Sequence, residues 1–143
     1  MSRPLLPTVL SAAAALGLAG ISAVHVVWAT GSSWPARNER NLAESVVSAD
    51  RMPPPVASAL VALGLAGAAL CVAGVGGQTS FAVTVRRVIG AGLLTRGLLS
   101  STMTTRMALG LSEPGPRFRE LDTRLYRPLC LVLAAATLLS ARR

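Results

Sequence analysis

The chain has 143 residues and a net charge of +8, with 52% hydrophobic residues and only 14% charged residues. Charged residues make up roughly 25% of soluble domains, and the apolar residues form long blocks that a soluble bundle could not hide, so an all-α integral membrane protein is predicted. All fourteen basic residues are arginines, and because no aromatic side chains are interleaved among them, they argue against a nucleic-acid partner.

The first predicted span, roughly residues 7–30, is long enough to cross the ~30 Å hydrocarbon core. A signal peptide is the alternative, but the apolar run is longer than the hydrophobic region of a signal peptide, which has roughly 7–15 residues. The span closes with "HVVWATGSSWP", residues 25–35, which holds both tryptophans of the chain. Indole rings favour the headgroup level, so Trp28 and Trp34 are expected to mark the membrane boundary.

The first connection, "RNERNLAESVVSAD", has apolar residues on one helical face and charges on the other. The apolar residues are Leu42, Ala43, Val46 and Val47. This pattern predicts a short helix that lies on the membrane surface. The second span, roughly residues 56–76, follows the turn "MPPP" and is again free of charged residues, as a lipid environment requires.

The third predicted span, roughly residues 88–109, is difficult to place because arginines lie in and beside it. A start near Val88 puts Arg86 and Arg87 at the interface and leaves Arg96 about 12 Å deep at ~1.5 Å per residue. A start near Phe81 would move Arg96 toward the far interface. The first register is preferred, because two adjacent arginines cost more inside a membrane than one.

The fourth predicted span, roughly residues 125–141, is short and relies on flanking arginines that reach the two interfaces. The preceding "PRFRELDTRLYRPLC" predicts a helix, since Phe118, Leu121, Asp122 and Leu125 recur at helical spacing. The complete prediction is one domain over residues 1–143. It is an integral membrane bundle of four transmembrane helices with a short interfacial helix in the first connection.

Four spans place both polar connections and all six acidic residues on one side of the cell membrane. Seven arginines lie on that side and five on the side of the termini. The positive-inside rule counts basic residues and ignores acids, so these numbers specify the orientation weakly. The five arginines on the side of the termini, which include Arg86 and Arg87, lie at span ends without an acidic neighbour, and this favours cytoplasmic termini.

A polar cluster is expected in one membrane half, where the first and third spans end and the fourth begins. Asp122 is predicted to pair with Arg106 or Arg119, with His25 nearby. Such a cluster could be a buried network that fixes the helix register, or a pocket for a lipid headgroup or small amphiphile. His25 and Asp122 could also perform acid–base chemistry on a lipid. Ionisable groups in a membrane are candidates for function by default, and the candidates here are His25, Trp28, Arg96, Arg106, Asp122, Tyr126 and Cys130.

Three stretches resemble a family of small bacterial four-span membrane proteins, known as domain of unknown function 3995. They are "HVVWATGSSWP", "LLTR" and "FRELDTRLYRPLCLVLA". The resemblance covers nearly the whole chain and implies a four-helix fold without implying a reaction. After Arg96, "GLLSSTMTTR" departs from the Gly-Asp-aromatic pattern of that family. The resemblance picks out His25, Trp28, Gly31, Arg96, Phe118, Asp122, Tyr126, Pro128 and Cys130.

Several kinds of chemistry are disfavoured by the residues present. A single histidine and the lack of clustered cysteines or acids argue against a metal site, and no cofactor is expected. Cys71 and Cys130 differ in depth by roughly 15 Å at ~1.5 Å per residue, too far for a disulfide.

The leading interpretation is a non-enzymatic protein with a structural, lipid-binding or partner-binding role. Its expected partners are membrane lipids, and possible further partners are other membrane proteins or a second copy of itself. The alternative is a small transporter, or a membrane enzyme that acts on a lipid or amphiphile through His25, Asp122 and Arg96.

Overall fold

The computed structural model describes residues 5–99 and 114–141, and every regular element in these two ranges is helical. The all-α prediction is confirmed, and a short helix does form in the first connection. Its position on a membrane surface stays a prediction. The elements are α1 (Leu5–Ala29), α2 (Glu39–Val46), α3 (Pro55–Ala73), α4 (Ser80–Leu98), α5 (Pro116–Leu121), a π-helical segment (Asp122–Tyr126) and α6 (Arg127–Ser140).

Two of the described helices, α1 and α3, are long and apolar enough to cross a membrane. In each helix only 22% of the most apolar window is buried within the protein, whereas the core helix of a soluble protein is mostly buried. Large side chains such as Leu16, Leu63 and Leu70 are exposed. α4 carries three arginines and α6 has only 14 residues. By length and composition together, α1 and α3 are therefore supported as spans and the other two predicted spans are not.

Small side chains form the contact between α1 and α3. Ala14 and Leu18 of α1 are buried in one apolar cluster with Val72 of α3. One buried hydrogen bond crosses the contact, from the Ser22 hydroxyl to the Ala62 carbonyl oxygen at 2.8 Å. Small residues let helix backbones approach closely, which is how helices associate when lipid removes the hydrophobic drive between them.

Glycines facing leucines form the contact between α4 and α6. A Cβ atom at Gly90 would lie 2.6 Å from Leu138, and one at Gly97 would lie 2.7 Å from Leu131. Glycine is therefore needed at both positions for the leucines to pack. The earlier glycine, Gly90, faces the later leucine, Leu138, and Gly97 faces Leu131. α4 and α6 are therefore antiparallel neighbours. α1 also packs on α6, and α3 contacts α4.

Two arginines bind backbone carbonyls at the ends of helices. Arg86 donates from Nε to the Cys71 carbonyl of α3 at 2.7 Å and from Nη2 to the Gly77 carbonyl at 2.8 Å. Arg127 donates to the last two carbonyls of α4, at 3.0 and 3.2 Å. Carbonyls in a last helical turn have no donor within the helix, and the helix dipole favours a cation there.

The helix of the third predicted span begins at Ser80 rather than near Val88. The Thr79 hydroxyl caps it by accepting a hydrogen bond from the Ala82 N–H at 3.2 Å. The helix boundary thus follows the alternative register and places Arg96 in the last turn of α4. Arg86 is buried and its guanidinium is bonded to carbonyls, and the position of the membrane boundary along α4 stays a prediction. The remainder of this predicted span, residues 100–109, lies outside the described residues.

Candidate functional site

The two polar connections meet at one end of the molecule, where α1 and α4 end and α3 and α6 begin. We call this the connection end. The Tyr126 hydroxyl donates to the Ser45 carbonyl of α2 at 3.0 Å, and the Gly115 N–H donates to the Ser48 hydroxyl at 2.7 Å. The predicted site residues lie at this end, except Arg106, which is outside the described residues.

A short ion pair joins α4 to the segment before α6. Nη2 of Arg96 lies 2.6 Å from Oδ1 of Asp122. The Asp122 side chain is only 3% exposed, and that of Arg96 is 39% exposed. A charge-assisted hydrogen bond to a buried carboxylate is stronger than an ion pair at the surface. The bond therefore fixes the position of α4 relative to α6 at the connection end.

The observed partner of Asp122 differs from the predicted ones. Arg96 was a predicted site residue, but the sequence assigned this contact to Arg106 or Arg119. Arg119 is exposed on α5 and makes no ion pair with the residues that the structure describes. Arg106 lies outside them, so its predicted pairing stays a prediction.

Asp122 is the first residue of the π-helical segment. The position of Pro128 explains why a π-helical turn forms here. The Arg127 N–H bonds to the Asp122 carbonyl, five residues back. Pro128 has no N–H, and in a regular α-helix its ring would collide with the carbonyl of Arg124. A wider turn before the proline removes this conflict. Single π-helical turns are frequent at functional sites, and here the turn buries Asp122 and leaves Leu125 exposed.

Tyr126 and Cys130 lie one and two turns after Asp122. Their side chains are close enough to Arg96 and Asp122 for both charges to act on them. We call these four residues the Arg–Asp cluster. The Tyr126 ring also packs on Phe118, with ring centroids 6.1 Å apart. Cys130 is a half-buried free thiol, and Cys71 is free as well, so neither forms the internal disulfide that the sequence argued against.

His25 and Trp28 form a separate pair on α1, with ring centroids 4.8 Å apart. Nδ1 of His25 lies 2.9 Å from the Ile21 carbonyl, and because a carbonyl only accepts, Nδ1 carries the proton. Nε1 of Trp28 donates to the Trp34 carbonyl at 2.8 Å. Within the described residues, no hydrogen bond or ring contact joins this pair to Asp122. The described contacts of His25 and Trp28 are thus local to α1 and its following turn, and the predicted proximity of His25 to Asp122 stays a prediction.

The Arg–Asp cluster retains one polar atom without a described partner. Nη1 of Arg96 is buried and has no hydrogen bond within residues 5–99 and 114–141. A buried donor left unpaired is unfavourable, so Nη1 is suited to bind an oxygen atom from outside this network. Across the same residues, no three His, Cys, Asp or Glu side chains are grouped to hold a metal ion.

The sequence analysis missed a cleft at the connection end between α1, α2 and α3. Its volume is about 250 Å³, and Trp28 is the predicted site residue that lines it. Residues 31–33, Glu39, Leu42, residues 52–55 and Ser58 complete the walls. The signal in the sequence was the run of three prolines after Met52. Prolines keep the preceding residues extended, which leaves space between the end of α1 and the start of α3.

Comparison with known proteins identifies a family. The family model described as "Protein of unknown function (DUF3995)" matches residues 8–137, a range that begins in α1 and ends in α6. No curated protein and no solved structure matches the chain.

Proposed function

The chain belongs to the DUF3995 family, and we propose that it is a multi-pass membrane protein that binds lipids or partner proteins without catalysing a reaction. In this proposal α1, α3, α4 and α6 cross the bilayer, and α2 and α5 lie at one interface. The observation that carries the proposal is the outward-facing apolar surface of α1 and α3.

The exposed side chains of α1 and α3 support a lipid environment. Leu5, Leu16, Leu63 and Leu70 are each more than half exposed. Monomeric soluble proteins rarely leave contiguous apolar patches of more than a few hundred Å² open to water. Hydrocarbon covers such a surface at no cost, so a membrane accounts for side chains that water would not tolerate.

The lengths and polar contacts of α4 and α6 support two further crossings. The 19 residues of α4 extend about 28 Å at ~1.5 Å per residue, close to the ~30 Å hydrocarbon core. The helix from the π-helical segment to the end of α6 has a similar length. Arginine is tolerated in a membrane when its N–H groups are bonded; Arg86 and Arg127 donate to carbonyls, and Nη2 of Arg96 donates to Asp122.

Single cysteines labelled by a membrane-impermeant thiol reagent test the crossings of α3 and α4, the second of which has less support from composition. The background replaces Cys71 and Cys130 with alanine, and the probes are Ala36→Cys, Gln78→Cys and Arg119→Cys. Four crossings place positions 36 and 119 on one side of the membrane and position 78 on the other. If only α1 and α3 cross, position 119 is labelled from the same side as position 78, and the proposal is wrong.

We assign a structural role to the Arg–Asp cluster within this function. The Arg96–Asp122 bond joins α4 to the segment before α6, and the Tyr126 hydroxyl joins that segment to α2. A bonded network of this kind fixes the register of packed helices. The cluster then serves the protein by holding the connection end in one arrangement.

Nη1 of Arg96 has no hydrogen-bond partner among the described residues, which favours a second candidate, in which the cluster lines a path or pocket for a lipid or amphiphile. Such a small transporter or membrane enzyme needs access from water to the cluster. In a Cys71→Ala background, the thiol of Cys130 reports that access. Slow reaction with a charged methanethiosulfonate reagent, comparable to that of a thiol in a packed helix contact, supports the structural role. Rapid reaction supports the second candidate.

A further inference from the structure

We propose that the cleft between α1, α2 and α3 binds an organic ammonium group, with the Glu39 carboxylate and the Trp28 indole as its recognition elements. Two sources share this chemistry, the ethanolamine headgroup of a phospholipid and a free primary amine. The inference deepens the lipid-binding role and rests on that proposed function. The cleft is distinct from the Arg–Asp cluster, since no residue is common to both.

The charge of the cleft is opposite to that of the protein. The chain has a net charge of +8 and fourteen arginines. Of the described residues that line the cleft, Glu39 is the ionisable one. The remaining polar side chains are the hydroxyls of three serines, Ser32, Ser33 and Ser58. A carboxylate with hydroxyl acceptors around it selects a cationic donor.

Glu39 differs from the other acids of the first connection because no arginine in the described part of the chain pairs with it. Glu44 and Asp50 both pair with Arg40, at 3.1 and 3.7 Å. Within the described residues, Glu39 forms no ion pair, and its Oε1 accepts the Met52 N–H at 3.3 Å. That bond holds the carboxylate at the cleft and leaves Oε2 to accept a hydrogen bond from a ligand.

Trp28 contributes an aromatic surface at the same cleft. Its indole is held in place by the bond from Nε1 to the Trp34 carbonyl and by the ring of His25. A cation over an indole face is attracted by the ring quadrupole. The last turn of α1 has no basic residue, so the negative end of its helix dipole is not compensated by a side chain of the helix itself.

The size and position of the cleft indicate a headgroup rather than a whole lipid. Pockets for drug-sized ligands occupy roughly 300–1,000 Å³, whereas the cleft has about 250 Å³. It lies beside the end of α1, where the proposed span meets the interface. An ethanolamine group fits this volume while the acyl chains of the same lipid stay in the bilayer.

Fluorescence of Trp28 in detergent-solubilised protein tests the site directly. A Trp34→Phe background leaves one tryptophan and retains the backbone carbonyl that holds it. The probes are dihexanoyl phosphatidylethanolamine, dihexanoyl phosphatidylglycerol and free ethanolamine. We expect a saturable change with the ethanolamine lipid and a much weaker response to the glycerol lipid, which has no ammonium group.

Two matched variants identify the carboxylate that is responsible. Glu39→Gln keeps an acceptor for the Met52 N–H but removes the charge, and the dissociation constant should rise on the order of tenfold. Glu44→Gln makes the same change on the same helix outside the cleft, and its dissociation constant should be unchanged. Equal effects of the two variants, or equal affinity for both lipids, would overturn the proposal.

The free amine separates the two sources and keeps this test independent of membrane topology. If ethanolamine binds as tightly as its lipid and Glu39→Gln weakens both, the site takes a free amine. If the lipid binds much more tightly, the site takes a headgroup. Either result supports an ammonium site. A failure of the four-crossing topology would appear in the cysteine labelling and not in this titration.

Discussion

A double-mutant cycle on Arg96 and Asp122 measures the bond that joins α4 to the segment before α6. The variants are Arg96→Gln, Asp122→Asn and the combination of both. Each keeps a polar side chain of similar size, so little packing is lost. The cycle subtracts the effect of each single change, and other contacts of either side chain therefore cancel from the result.

The expected coupling free energy follows from the burial of the pair. Removing one partner of a fully buried ion pair costs about 3–5 kcal/mol, while exposed pairs contribute ~0–1 kcal/mol. Asp122 is 3% exposed and Arg96 is 39% exposed, so water reaches one partner only. A hydrogen bond to a charged group contributes about 1.5–3 kcal/mol. We expect a coupling of about 2 kcal/mol.

A second pair in the same region provides the control. Arg124 and Glu120 lie 2.9 Å apart with side chains that are 78% and 58% exposed. Their coupling, measured with Arg124→Gln and Glu120→Gln, should be about 0.3–0.5 kcal/mol. Unfolding of all variants by sodium dodecyl sulfate in mixed micelles gives both couplings. Equal couplings for the two pairs would refute the view that burial makes the Arg96–Asp122 bond the stronger one.

Three further substitutions test the contacts between helices. Gly97→Ala should destabilise the protein by about 1–3 kcal/mol because the new methyl group overlaps the facing leucine of α6, whereas Gly92→Ala on the open face of α4 should be neutral or stabilising in the same unfolding assay. Tyr126→Phe removes the bond to the Ser45 carbonyl and should cost about 1 kcal/mol; no change in stability would show that the bond is dispensable. Arg127→Met should speed amide hydrogen exchange in the last turn of α4 and leave the exchange of α3 unaltered.

The helices were largely predictable from the sequence because apolar blocks and helical spacing carry their signal locally. α2 follows from the apolar face that contains Leu42 and Ala43, which are both buried. The start of α4 has a local signal, the Thr79 cap, whereas the surroundings of Arg86 depend on distant contacts. Arg86 is buried against carbonyls of the preceding helix and turn, and no pattern near Arg86 in the sequence reveals those acceptors.

The bond between Arg96 and Asp122 was not predicted, although both residues were named as candidates. Asp122 was expected inside the molecule and is buried. Leu125 was expected on the same face as Asp122. It is exposed, because it lies within the π-helical segment, whose wider turn changes the direction of its side chain. The pairing of Asp122 with Arg96 depends on how α4 packs against α6. Spacing along one helix does not encode that arrangement.

In the proposed four-crossing topology, the arginines at helix ends let two unfavourable features of a membrane helix offset each other. A helix that ends near the bilayer leaves carbonyls without donors, and an arginine near the start of the next helix brings donors that need acceptors. Arg86 meets the end of α3, and Arg127 meets the end of α4. Each bond gives the guanidinium an acceptor at a helix end, and the Cys71 carbonyl accepts the Gly74 N–H as well. Lysine, with a compact ammonium instead of a planar fork, would bind two such carbonyls less well, which is a physical reason for arginine at both positions.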